Sequence, residues 1–270
     1  MRRVVPLLLL AACGASAPPP APPKVEQPAP RATRVVVETD KDDEPQDGVK
    51  FKNARGKMDQ DAIKAGLEPH AQELSDCYMT KVGRRRWLGG HVVLHWDIKR
   101  DGTVTSVKLS ESDLGNWDIE QCLLEAARTA TFDKPQGGDA DFTVPLDFSA
   151  KGNAQIWDED KSLRAIGGQL AKLDTCPDPK IKLPKPKDGD KPVHKAPRPT
   201  NVTVTLYVGP HGKAESVGFS SPTAEIGDDW ALCARKAAEG WRLPDPRGQI
   251  AKLAIRYKPA AAPSTDGDEH

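Results

Sequence analysis

The residues best equipped for chemistry are five cysteines: Cys13, Cys77, Cys122, Cys176 and Cys233. A thiol can ligate a metal, attack as a nucleophile, carry a lipid or pair into a disulfide, and spacing discriminates among these roles. No Cys-x-x-Cys pair occurs, which argues against a four-cysteine zinc site. His91, His95 and Asp97 alternate on one face of a strand-like run and are spaced plausibly for a metal. A polar, solvated strand face accounts for them better, because the matching downstream positions are Asn201, Thr205 and Tyr207. Asp97 to Gly102 faintly suggests a calcium loop, but it lacks the middle acidic positions, and a hairpin turn explains it. The chain contains no Gly-x-Ser-x-Gly, no His-Glu-x-x-His and no glycine-rich phosphate loop with a lysine. With no catalytic constellation, metal site or cofactor site to be found, the expectation is a protein that is not an enzyme.

Cys13 stands apart from the other four. It ends a run of Met1-Arg2-Arg3, the apolar stretch Val4 to Leu10, and Ala11-Ala12, the order of a secretory signal. Leu10-Ala11-Ala12-Cys13 resembles the bacterial lipobox, in which the signal is cut before the cysteine and the thiol carries lipid. The alternative is an ordinary signal cut near Ala17. No other segment approaches the ~18 apolar residues that cross a bilayer. The expected placement is therefore the cell envelope, lipid-anchored, at the outer membrane and facing the periplasm, since Gly14 follows the cysteine rather than an aspartate.

Composition narrows the partners. The 39 basic and 39 acidic residues cancel, so bulk charge calls for neither nucleic acid nor an anionic membrane surface. The 25 prolines are concentrated rather than scattered, which marks tethers between folded units. Ala15 to Pro30 is mostly alanine and proline, and an acidic patch follows from Glu38 to Asp47. The organisation read from this is a signal over 1–12, a tether over 13–57, folded units over 58–150 and 155–258, and a polar tail over 259–270. A Pro/Lys-rich loop over 177–200 interrupts the second unit.

The elements that must position the remaining cysteines recur in one order. Ile63, Leu67, Leu74 and Cys77 or Tyr78 share a helical face between Asp59 and Tyr78, with Pro69 predicting a kink or a late start. Val92, Leu94, Trp96 and Ile98 alternate with His91, Val93, His95 and Asp97 as a half-buried strand. Arg100-Asp101-Gly102 supplies a hairpin turn, and Val107 and Leu109 lie on the return strand. A helix from about Asn116 to Ala130 holds Cys122, and Phe142, Val144, Leu146 and Phe148 form a third strand. The second segment repeats this: a stripe of Leu163, Ile166, Leu170 and Leu173 ending at Cys176, and a strand with Val202, Val204, Leu206 and Val208. A turn at His211-Gly212 and a return strand with Val217 and Phe219 come next. A helix from Trp230 to Gly240 then carries Cys233, and a last strand holds Ala251, Leu253, Ile255 and Tyr257. The predicted fold class is α+β, two tandem α-β-β-α-β units, each a three-stranded antiparallel sheet with two helices on one face.

Four cysteines allow three connectivities. The repeat selects Cys77–Cys122 and Cys176–Cys233, with buried free thiols as the alternative.

With those residues in view, the first segment resembles the AgmX/PglI C-terminal domain family of gliding-motility-associated proteins from myxobacteria, related to the C-terminal domain of TonB. The matching features are Leu74 to Tyr78 with its Cys-Tyr, Asp101-Gly102-Thr103-Val104, Leu114-Gly115-Asn116, Cys122 before Ala126-Ala127, and Phe132 before a proline. The second segment fits more loosely, through Gly209-Pro210-His211-Gly212, Cys233, Ala237-Ala238 and Trp241-Arg242-Leu243-Pro244, and lacks an aromatic after Cys176. The resemblance implies the same α+β architecture and a periplasmic binding module.

Two surfaces are candidates for a partner. In the TonB-like topology the last strand is a sheet edge, open to strand addition by an extended segment. Pro145 blunts that edge in the first unit; Ala254, taken as its equivalent and flanked by Lys252 and Arg256, leaves the second unit as the acceptor, for a segment with acidic side chains. Arg84, Arg85, Arg86 and Trp87 form a basic loop beside an aromatic, which supports an alternative reading as a peptidoglycan- or glycan-binding lipoprotein. The leading expectation is a lipid-anchored module that binds or scaffolds a protein partner in the envelope.

Overall fold

A computed structural model describes residues 56–177 and 199–260. The expected signal, Cys13, the tether up to residue 55, most of the Pro/Lys-rich loop and the tail beyond residue 260 lie outside the described residues. No helix among the described residues is long and apolar enough to cross a membrane.

The first half begins at Asp59, whose side chain accepts from the Asp61 N–H and caps α1 (Gln60–Leu67). Pro69 has no N–H to continue the ladder, so one 3₁₀ turn at Glu68–His70 intervenes before α2 (Ala71–Lys81). The hairpin β1 (Gly90–Ile98) and β2 (Val104–Ser112) follows, then α3 (Trp117–Arg128) and β3 (Ala140–Phe148). β3 returns on the far side of β1, giving an antiparallel sheet of order β2-β1-β3. Val92, Leu94, Trp96 and Ile98 are buried, as their alternation predicts. Trp96 stacks on Phe142 at 5.2 Å and donates its indole N–H to Ala127 O at 3.1 Å. Tyr78, next to Cys77, donates its hydroxyl to Leu88 O at 2.8 Å and so ties α2 to the entry of β1.

The second half contains β4 (Gln155–Ile156), α4 (Glu159–Leu170), β5 (Val202–Val208), β6 (Ala214–Ser220), α5 (Asp228–Glu239) and β7 (Ala251–Tyr257). Its sheet has four strands, in the order β4-β7-β5-β6, rather than the three expected. The extra strand arises because the segment joining the halves runs parallel along β7, held by Gln155 N–H to Ile250 O and Trp157 N–H to Lys252 O. Buried Trp157 anchors this segment in the core. The stripe expected on α4 differs at its first position. Ile166, Leu170 and Leu173 are buried as expected, but Leu163 is 54% exposed and its neighbour Ser162 takes the buried place in the first turn.

Both expected disulfides are present. Cys77 on α2 bonds Cys122 on α3, and Cys176 bonds Cys233 on α5, with Cα separations of 5.6 and 5.7 Å. Each closes within its own half of the chain. Loops of 45 and 57 residues contribute about 4 kcal/mol each in the chain-entropy view.

Candidate binding site at the joint between the sheets

The two sheets meet through their outer strands β2 and β6. Ser221 N–H donates to Leu109 O at 2.8 Å, and each half caps a strand N–H of the other with a glutamate. Val107 N–H on β2 donates to Glu225 Oε1 at 2.6 Å, while Phe219 N–H on β6 donates to Glu120 Oε2 at 2.9 Å. Carboxylates thus satisfy donors that an unpaired strand edge would leave exposed.

Glu120 is fully buried in the first turn of α3. The Ser112 hydroxyl and the Gly115 N–H donate to its Oε1 at 2.6 and 3.2 Å. Burial pushes its pKa up to about 7, against the downward pull of Ser112 and of the Phe219 and Gly115 N–H groups. Asn116 caps α3 by accepting from Ile119 N–H, and its amide donates across the joint to Ser216 Oγ at 2.8 Å. Ser216 in turn donates to Gly115 O at 2.6 Å. The chain of bonds needs Gly218: a Cβ there would lie 2.4 Å from Glu120 Oε2 and 2.6 Å from the Asn116 nitrogen. Gly115 takes a positive φ of 68°, and a Cβ there would lie 2.8 Å from Thr205 Cγ2 and 3.1 Å from the Tyr207 ring.

The same face of the second sheet continues through Tyr207. Its hydroxyl donates to Gly89 O at 2.8 Å, its ring lies 4.6 Å from Trp87, and burial pushes its pKa upward. Lys252 reaches Gly89 O and Asp113 Oδ2, both at 3.1 Å. This polar-looking face (Thr205, Tyr207, Ser216 and Gly218) is therefore a buried docking surface for the 112–119 segment of the first half. The corresponding face of the first sheet is not covered in this way. There His91 bonds Asp147 at 2.8 Å, and His95 and Lys108 bond Asp97 at 3.2 and 3.4 Å. The His95 hydrogen bond, helped by Lys108, pulls the Asp97 pKa down to about 2. No group of three or more His, Cys, Asp or Glu placed to hold a metal occurs among the described residues. Asp97 does not face the hairpin turn, where Asp101 instead accepts from Thr103 N–H.

Beyond the bonded joint the halves diverge into a cleft of about 600 Å³. Its wall from the first half carries Glu111 and Asp113; from the second come Glu159, Ser220, Ala254 and Arg256. Ser220 Oγ is buried and has no hydrogen-bond partner among the described residues. One margin of the cleft is β7. Because Ile250 and Lys252 turn their carbonyls toward β4, the alternation of a strand points the backbone groups of Ala254 and Arg256 off the same edge. Among the described residues no hydrogen bond reaches those groups from that side.

Three expectations change here. Lys252 does not flank an open edge, since β4 covers its backbone and Asp113 holds its ammonium. Counting from the turn glycines Gly102 and Gly212, Val93 corresponds to Thr203; Val93 faces Pro145 and Thr203 faces Arg256, so Arg256 and not Ala254 is the register equivalent of Pro145. The basic loop does not act as one cluster. Arg85 donates to Lys81 O and Val82 O at the end of α2 and Trp87 packs on Tyr207, which leaves Arg84 and Arg86 on the surface.

The joint residues were missed by pattern reading, although two signals existed. Glu120 shares a helical stripe with buried Leu123, Leu124 and Ala127, an odd place for a carboxylate. Gly218 interrupts a strand between Val217 and Phe219, which signals a close backbone approach. Compared with protein-family models, with curated proteins and with solved structures, the chain matches none.

Proposed function

We propose that this chain is a lipid-anchored interaction module of the cell envelope that captures an extended segment of a periplasmic protein on the free part of β7. In this reading it consists of two tandem TonB C-terminal-like units of the AgmX/PglI kind, held on the outer membrane through Cys13 as part of a motility-associated or TonB-like envelope complex. The observation that carries it is the pair of uncapped backbone positions, Ala254 and Arg256, at the margin of the cleft. Strand addition supplies affinity through main-chain hydrogen bonds, and neighbouring pockets supply specificity. Two disulfides fit an oxidising compartment. The basic-loop alternative loses Arg85 and Trp87, whose side chains are engaged inside the protein.

Arg256→Pro removes the N–H at the edge and is expected to weaken partner capture from envelope extract by about tenfold, the loss of roughly one to two hydrogen bonds. Capture unchanged in that variant, with its thermal melt also unchanged, would sink the strand-addition reading. Anchoring has a separate check. Cys13→Ser is expected to move the protein from the membrane fraction to the soluble periplasmic fraction, and retention on the membrane would count against a lipid on that thiol.

A further inference from the structure

The cleft beside β7 is not charge-neutral. Asp113 is matched by Lys252 at 3.1 Å, and His91 by Asp147 at 2.8 Å. Glu111 and Glu159 have no ion-pair partner among the described residues, and Arg256 is the one lysine or arginine among the described residues that line the cleft with them. The lining therefore carries an excess of negative charge. Its buried wall carries a second sign of an unmet ligand. Ser220 is 1% exposed, sits on the same face of β6 as Ser216 and Gly218, and its Oγ has no partner among the described residues. A buried hydroxyl without a hydrogen bond is an exception that calls for a ligand or a water.

We infer that the partner segment places a lysine or arginine side chain in this cleft, an inference that rests on the strand-addition reading above. A strand added beside Ala254 and Arg256 turns every second side chain to the face those residues occupy, which is the face of the cleft. An ammonium or guanidinium offers only donors, matching the Glu111 and Glu159 carboxylates and the lone pairs of Ser220 Oγ. The acidic partner expected from Lys252 and Arg256 is replaced, because Lys252 is spent on Asp113.

The test uses the full chain and three capped pentapeptides, Thr-Val-Lys-Val-Thr, Thr-Val-Ala-Val-Thr and Thr-Val-Glu-Val-Thr, titrated by NMR. The lysine peptide is expected to bind about 5-fold tighter than the alanine peptide, the scale of a partly exposed ion pair, with the glutamate peptide weakest. In the Glu111→Gln/Glu159→Gln double variant the ratio of lysine- to alanine-peptide affinity should fall to about one. Ser220→Ala should reduce the lysine preference alone. If lysine and alanine peptides bind equally and Arg256→Pro abolishes both, strand addition stands and the cationic preference is overturned. If the glutamate peptide binds tightest, the charge assignment is reversed. If no peptide binds, the strand-addition reading falls and the inference with it.

Discussion

Gly218→Ala should lower the stability of the protein by roughly 3 kcal/mol or more, far beyond an ordinary strand substitution. The added methyl would meet Glu120 Oε2 at 2.4 Å and the Asn116 nitrogen at 2.6 Å. Neither neighbour can give way alone. Glu120 is held by Ser112, Gly115 and Phe219, and Asn116 begins α3 while its side chain bonds Ser216. Relief requires the halves to separate at the joint, which strips donors of their acceptors. Gly168→Ala is the matched control. A Cβ there meets nothing within 4 Å on α4, so the substitution should stabilise by about 1 kcal/mol through helix propensity. Urea unfolding of the two variants provides the comparison, and a Gly218→Ala protein as stable as its parent would mean the halves are not tightly joined.

Glu120 makes the second large prediction, with a sign set by its environment. Its folded-state pKa is raised from 4.5 to about 7, so the folded protein binds the proton more tightly than the unfolded chain does. The stabilisation is fully present below pH 4.5 and is lost as pH rises to about 7, a change on the order of 3 kcal/mol. Glu120→Gln removes the titration. The stability difference between parent and variant should therefore drift by that amount between pH 4.5 and 7.5, in favour of the parent at the acid end. Glu120→Leu goes further and leaves the Phe219 and Gly115 N–H groups buried without an acceptor, at about 1–3 kcal/mol each. Parallel pH profiles for parent and Glu120→Gln would show that the carboxylate does not change protonation in this window.

The contrast between what pattern reading reaches and what it misses has a physical origin. The alternation of β1 is legible because Val92, Leu94, Trp96 and Ile98 face one core while their neighbours meet water or each other. The cysteine pairs are legible because each closes within one half, at the same point of the repeated order of elements. In β5 the same alternation misleads. Thr205 and Tyr207 have the polarity of a solvent face, yet both are buried because another part of the chain lies on them. A hydrogen-bonded docking surface looks like a wet one when only composition is seen. β4 was missed because two residues carry no period, and its pairing depends on Trp157 finding the core. Of the predicted site residues, Arg256 and Ala254 border the cleft, while Lys252 is drawn inward by a carboxylate far away in sequence.

The placement of the disulfides has a mechanical consequence. Both bridges close inside a half and neither crosses from one half to the other. Gly56, where the described body begins on the Cys13 side, is pinned to the first half by its N–H to Asp139 O, whereas β7 belongs to the second. A pull between Gly56 and anything held on β7 is transmitted through the joint and the short connection at β4. The hydrogen bonds of Glu120 and Glu225 lie in that path between the halves. The 45-residue loop closed by Cys77–Cys122 withholds roughly 150 Å of chain from any extension. In each half the residues between the paired cysteines stay out of reach of such a pull.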